Sequence, residues 1–200
     1  MMLPTHALAG MLLATPLVVV APELALAGFA AGFLGGIVPD LDMYVGHRQT
    51  LHYPVYYSLL AVPALSVALA APSVATVGVA FVLSGAALHS VADAYGGGLE
   101  LRPWEGNSDR AVYDHYHERW IAPRRGVRYD GAVEDLAIAV GLSIPLFALV
   151  GDGRLLLVVA GTLAVAVAYT ALRRRLAAVA AALVSSLPDA VDPYLPQRYR

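Results

Sequence analysis

The sequence predicts an all-α, polytopic membrane bundle of about six spans, and three observations carry that prediction. The composition is 58% hydrophobic and only 14% charged, against about 25% charged residues in soluble domains. The mean hydropathy is +0.64. The apolar residues also gather into runs of near-bilayer length, separated by proline, glycine and charged joints, which is the pattern of repeated crossing. Two hundred residues arranged this way make a single membrane-embedded domain over 1–200 and leave no room for a sizeable soluble one.

The runs are 5–21, 23–38, 51–71, 73–95, 132–150 and 154–172. The first two are short for a hydrocarbon core of about 30 Å, which takes roughly 20 helical residues. Residues 5–38 can therefore also be read as one broken helix, giving five spans. The other joints are sharper. Ala71-Pro72 makes a tight turn, Gly96-Gly97-Gly98 ends the fourth run, and Gly151-Asp152-Gly153 separates the last two. Pro16, Pro63 and Pro145 fall inside runs, where membrane helices tolerate them as kinks. The stretch Leu8 to Val20 followed by Ala25-Leu26-Ala27 has the outline of a secretory leader. No Lys or Arg precedes Arg48, however, so the basic n-region is missing and the segment is read as structure.

Charge sets the orientation. All thirteen basic residues are arginine. If the chain changes sides at each of six spans, one side holds Arg48, then Arg102, Arg110, Arg119, Arg124, Arg125 and Arg128, then Arg173, Arg174, Arg175, Arg198 and Arg200. The other side holds Arg154 alone. By the positive-inside rule both termini, the 39–50 loop, the long interfacial loop 96–131 and the tail 173–200 are cytoplasmic, in a multi-pass protein of the cytoplasmic membrane. The five-span reading moves only the N-terminus.

On this topology the chemically able residues converge. His6 starts the first span, Asp40 and Asp42 follow the second, His47 and His52 lie at the start of the third, and His89 and Asp93 close the fourth. Ionisable groups beside membrane spans are costly, and a cluster of them at one rim reads as a functional site. Cysteine is absent, so a metal would be held by imidazole and carboxylate. His89 and Asp93 are spaced i, i+4, on one helix face, and can share an ion. Asp40 and Asp42 flank Leu41 in a turn after Pro39. His52 is the stronger ligand candidate of its pair, and His47 can instead orient a carboxylate. Mixed nitrogen and oxygen donors suit zinc, with manganese or iron as alternatives. Arg48 lies between the two histidines, and its guanidinium suits a phosphate or carboxylate substrate.

Within the 96–131 loop, Trp104, Trp120 and the tyrosines read as interfacial anchors, and the arginines suit anionic headgroups. Asp114, His115, His117 and Glu118 form either a second metal site or, as the better reading, an interfacial helix with its polar side chains in solvent. A loop of this length is often a lid.

Taken together, His6, the PDLD of Pro39 to Asp42 preceded by Gly35 and Gly36, the HR-x-x-x-H of His47 to His52, and the GxxxHxxxD of Gly85 to Asp93 resemble the YdjM-like inner-membrane metal-dependent hydrolases. That family is in turn similar to the zinc-dependent phospholipase C and single-strand nuclease superfamily. The resemblance covers roughly residues 5–105. It implies a helical metalloenzyme in which His6, Asp40 or Asp42, His52, His89 and Asp93 are ligands. The chain departs from it at Leu51-His52-Tyr53, where many relatives carry Thr-His-Ser, and it has no secure match for the further ligands of the soluble superfamily.

The expectation is therefore a membrane-bound, metal-dependent hydrolase of a phosphoester or other ester at the cytoplasmic surface. Asp42 would serve as base and Arg48 would stabilise charge developing in the transition state. The lipid bilayer, and a lipid headgroup or phosphoester substrate, are the expected partners, and nucleic acid is not. The alternative is a non-catalytic metal-binding membrane protein or a transporter. The last two spans offer only Ser143, Thr162 and Thr170, a thin lining for a transport path.

Overall fold

The structure is a computed structural model that describes residues 1–195. Arg198 and Arg200, counted above among the tail arginines, lie outside the described residues. The helices are α1 (Leu3–Leu12), α2 (Leu17–Val20), α3 (Pro22–Gly35), α4 (Pro54–Ala70), α5 (Val74–Ala92), α6 (Val133–Leu149) and α7 (Gly153–Ser185). Their starts are written in the sequence. Proline opens α1, α3 and α4, where its missing N–H costs nothing. Ser73 and Thr76 form a reciprocal capping box at α5. The Asp152 carboxylate accepts from the Arg154 and Leu155 amides at α7.

Each predicted apolar run forms helix, yet among the described residues four stretches are long and apolar enough to cross a membrane: Leu3–Val20, Pro22–Asp42, Val74–Tyr95 and Gly153–Ser185. That is fewer than the six expected. Helices α4 and α6 have 17 residues each. The first is shortened because the chain stays non-helical through His52 and Tyr53 until Pro54, the second because Gly131 and Ala132 form a turn before it. Helix α7 passes without a break through Arg173, Arg174 and Arg175 to Ser185, so the expected tail begins as a continuation of the last helix.

The chain is not wholly α. In the 96–131 loop, β1 (Val112–Asp114) pairs antiparallel with β2 (Arg119–Ile121), with Tyr113 opposite Trp120. This hairpin replaces the interfacial helix expected around 114–118. The aromatic and β-branched residues flanking the turn favour paired strands, and Asp114 accepts the Tyr116 and His117 amides to close it.

Helices α1 and α3 fold back on one another, and glycines set their distance. A Cβ on Gly10 would lie 2.2 Å from the Gly32 carbonyl oxygen, and one on Gly36 would lie 2.3 Å from the His6 oxygen. Helix α5 packs equally closely, since a Cβ on Gly35 would meet the Val82 oxygen at 2.3 Å. Small residues let membrane helices approach to backbone contact. The pairing of residue 10 with 32 and of 6 with 36 makes α1 and α3 an antiparallel hairpin, so residues 5–38 are two elements and not one broken helix. Helix α4 packs on α5, and α6 and α7 pack on α1. The starts of α1, α4 and α6 and the ends of α3 and α5 thus gather at one end of the bundle.

Candidate metal centre

Past α3 the chain makes a 3-10 turn, Val38–Asp42. This short turn sends its two carboxylates to different places. Asp40 faces His52, His89 and Asp93, and one ligand atom from each of the four residues lies within 4.8 Å of the others. His52 Nε2 is 3.2 Å from His89 Nε2, 3.6 Å from Asp40 Oδ1 and 3.3 Å from Asp93 Oδ2. His89 Nε2 is 3.4 Å from Asp40 Oδ1 and 3.6 Å from Asp93 Oδ2. His52, His89 and Asp93 are fully buried, while the Asp40 side chain keeps 12% exposure. Solvent therefore reaches the group from the Asp40 side.

What surrounds the four residues fixes the tautomers of the two histidines. His89 Nδ1 lies 2.7 Å from the Gly36 carbonyl oxygen, which can only accept, so Nδ1 carries the hydrogen and Nε2 presents a bare lone pair. His52 Nδ1 lies 3.0 Å from Asp42 Oδ2, and in the neutral ring donation to that carboxylate leaves Nε2 bare as well; burial lowers the pKa of this ring but Asp40, Asp42 and Asp93 push it up to about 10, so an ion would take the place of a proton. Two imidazole lone pairs and two carboxylate oxygens then face a common point. Asp93 Oδ2 is buried with Arg48 Nε 3.1 Å away but with no aligned hydrogen bond. Buried polar atoms are rarely left so, and four converging nitrogen and oxygen atoms suit a shared cation. The group can hold a metal ion.

The remaining candidates stand around it. Asp42 is turned behind His52. Its Oδ1 accepts from His47 Nδ1 at 3.0 Å and from the Arg48 amide at 3.3 Å, and its Oδ2 accepts from the Leu51 amide at 3.0 Å besides His52. The sequence offered both Asp40 and Asp42 as ligands, with Asp42 also as the base; the turn places Asp40 in the four-residue group and Asp42 outside it. His47 lies against Asp42, 3.9 Å from the nearer oxygen of Asp40. His6 stacks on His89 with ring centroids 3.8 Å apart and bonds to Asp93 Oδ1 at 3.0 Å, an oxygen that also meets the Met1 ammonium at 2.9 Å. His6 therefore grips the back of Asp93.

Arg48 occupies a left-handed backbone conformation, φ 60°, which turns its side chain inward. Its Nε is 3.1 Å from Asp93 Oδ2, and its Nη1 donates to the carbonyls of Gly97 and Ala111 at 2.8 and 3.3 Å. Burial would push the pKa of this guanidinium down, but Asp93, helped by Asp130 and Asp40, raises it. Arg48 thus ties the long loop over the carboxylates. The Tyr113 amide donates to the Arg48 carbonyl, and His115 Nε2 donates to the Gln49 carbonyl, so the hairpin covers the 47–50 segment. Asp114, His115, His117 and Glu118 do not form a second metal-ligand group among the described residues. His117 pairs with Asp114 and His115 turns away toward Gln49.

Sequence reasoning missed two further carboxylates, Asp135, which is buried, and Asp130, which is half-buried. Asp135, fully buried in the first turn of α6, accepts from the Met2 amide and Thr5 Oγ1, both at 2.7 Å, and from the Gly131 amide at 3.0 Å. Asp130 is held by Arg173 at 3.0 and 3.1 Å and by the Tyr169 hydroxyl. The signal was present, since an acidic pair, Glu134 and Asp135, opens an otherwise apolar run.

No protein-family model, curated protein or solved structure matches the chain.

Proposed function

We propose that the protein is a multi-pass membrane metalloenzyme that hydrolyses a phosphoester or related ester, with its ion held by Asp40, His52, His89 and Asp93. The observation that carries the reading is the set of five donor separations between 3.2 and 3.6 Å. Tetrahedral zinc with bonds of 2.0–2.2 Å places its ligands about 3.3–3.6 Å apart. Two imidazoles and two carboxylates also suit that ion, with manganese and iron as the alternatives. When bound, it would supply Lewis-acid polarisation of an ester oxygen and of water.

The chain's own residues set the conditions. The Gly36 carbonyl and the Asp42 carboxylate orient the two imidazoles and raise their basicity. His6 and Arg48 hold the two oxygens of Asp93 in place. Asp40, the one member that touches solvent, marks the side from which substrate approaches. Asp42, with both oxygens engaged, serves as a positioning residue rather than as the base, and Arg48 supplies fixed positive charge at the rim. The six-span topology is part of the same proposal. Seventeen residues rise about 25 Å, within the range of short crossings, so α4 and α6 complete the bundle. The arginine asymmetry then supports a cytoplasmic position for the site and both termini. The motif resemblance to the YdjM-like hydrolases supports the same class.

A second reading has its own observation. Four protein donors close a tetrahedron, which is the habit of structural zinc, so the centre would stabilise the bundle without turnover. The two readings separate in one experiment on the full chain in lipid nanodiscs: metal content by mass spectrometry, turnover of phosphodiester and phospholipid substrates, and thermal stability, for wild type and Asp93→Asn. The hydrolase reading predicts one transition metal per chain and turnover that the variant loses. Stoichiometric metal without turnover, and a variant that unfolds early, favour the structural reading. Wild type free of transition metal defeats both.

A further inference from the structure

The turn that joins the two aspartates to His47 carries apolar side chains into the open. Leu41 is 68% exposed, Tyr44 79% and Val45 70%, and Met43 is exposed beside them. Consecutive exposed apolar residues are out of place in a turn that faces only water. No charged residue lies between Asp42 and Arg48. Much of the backbone is paired within the segment. The Met43 amide donates to the Asp40 carbonyl at 3.1 Å and the Val45 amide to the Asp42 carbonyl at 2.9 Å. The Gln49 and Thr50 amides both donate to the Gly46 carbonyl at 3.0 Å, and the Thr50 hydroxyl donates to the Val45 carbonyl. Non-helical backbone can leave bulk water only when its polar groups are satisfied in this way. The turn also extends the membrane-length stretch Pro22–Asp42, on which Leu34 is likewise exposed. It leaves from Asp40 and returns at His47, 3.9 Å from the Asp40 carboxylate, so it rims the side from which solvent reaches the metal group.

We propose that residues 41–45 insert into the lipid interface of the bilayer that the chain spans, which sets the open, Asp40 side of the metal group at the depth of the lipid phosphates. Three features favour lipid over a protein partner as the occupant. The turn continues a stretch that is itself of membrane length, its backbone offers few unspent donors to a peptide, and tyrosine among aliphatic residues is the composition of the membrane–water boundary. A stable protein interface takes roughly 20–30 residues a side, far more than one short turn supplies. Because the turn is uncharged, the contact needs neither anionic lipid nor low salt, unlike contacts made by the arginines of the long loop. The proposal concerns placement, and it stands whether the metal centre is catalytic or structural.

The test uses the full chain in phosphatidylcholine nanodiscs. The sequence has no cysteine, so Tyr44→Cys and Val45→Cys can each carry a single nitroxide. Glu118→Cys, exposed at the hairpin turn, serves as the water reference and Leu59→Cys, exposed on α4, as the lipid reference. Power-saturation electron paramagnetic resonance then compares collisions with oxygen, which concentrates in lipid, and with a nickel chelate, which stays in water. At 44 and 45 the oxygen-to-nickel ratio is expected to rise above that at 118 toward that at 59, and to hold at high salt. Leu41→Asp, added to Tyr44→Cys, is expected to return the ratio toward the water reference. A ratio at both positions equal to that at 118 overturns the proposal, as does a ratio that Leu41→Asp leaves unchanged. Protection from both reagents overturns it by showing that protein covers the turn, and a ratio that collapses at high salt does so by assigning the contact to charged residues. Metal content measured on the same samples keeps the questions apart: a metal-free wild type with an immersed turn defeats the metal-centre reading alone.

Discussion

Two regions at the same end of the bundle bury carboxylates to the same degree and handle them in opposite ways. Asp135 is surrounded by donors: two backbone amides and a threonine hydroxyl. Asp93 is as deeply buried, yet its Oδ2 faces two imidazole nitrogens and has only the Arg48 Nε contact at 3.1 Å, without an aligned hydrogen bond. Burial of a charged group alone is thus uninformative, and the sign of what surrounds it decides the role. Donors make a pin that clamps α1 to α6, whereas converging acceptors make a cation site.

The sharpest way to break the contrast is Asp93→Asn. It keeps the shape and removes the charge, and metal affinity is expected to fall by more than about a hundredfold, since even loss of a supporting group costs about 10–100-fold. A competition titration that finds unchanged affinity would remove the metal centre from the account. Asp42→Asn comes next. It deprives His52 of its partner, and a fall of about 10–100-fold is expected, with metal stoichiometry still reached at high concentration.

Asp135→Asn tests the other side. Stability is expected to drop by about 1–3 kcal/mol as donors lose their acceptor, measured by denaturation in mixed micelles, with metal content unchanged. Metal loss in proportion to unfolding would merge the two regions into one. The smallest effect belongs to Asp130. Burial would push its carboxyl up, but the Arg173 guanidinium and the Tyr169 hydroxyl hold it below the ordinary value of 3.8. A carboxyl depressed in the folded state adds stability that is present above about 3.8 and is lost as pH falls through its lower folded value. Asp130→Asn is expected to flatten that acid limb in pH-dependent melting.

Much of this arrangement was legible in the chain. The i, i+4 spacing of His89 and Asp93 survives into the structure because a helix enforces it, and span counting alone brought His6, Asp40 and His52 to the same end. The choice between Asp40 and Asp42 was not legible, because an extended turn would send both to one side whereas the 3-10 turn that forms divides them. The strand pairing of 112–121 was hidden by histidines and charges that mask its alternation. The two 17-residue helices escaped because hydropathy marks where an apolar run lies, while prolines and turn geometry decide where helix begins. The close approach of α1, α3 and α5 had a signal in Gly10, Gly32, Gly35, Gly36 and Gly85, but glycine spacing shows its partner only once the helices are paired.

Gly36 joins these threads. Its missing side chain admits the His6 backbone, and its carbonyl receives the His89 Nδ1 hydrogen. The tautomer of a candidate metal ligand is therefore written in the main chain, out of reach of ordinary side-chain drift and sensitive instead to the spacing of two helices. Separation of α3 from α5 would free the imidazole to rotate or exchange its proton. Ion release and loosening of the bundle are accordingly expected as a single transition, followed together by a metal-sensitive dye and circular dichroism.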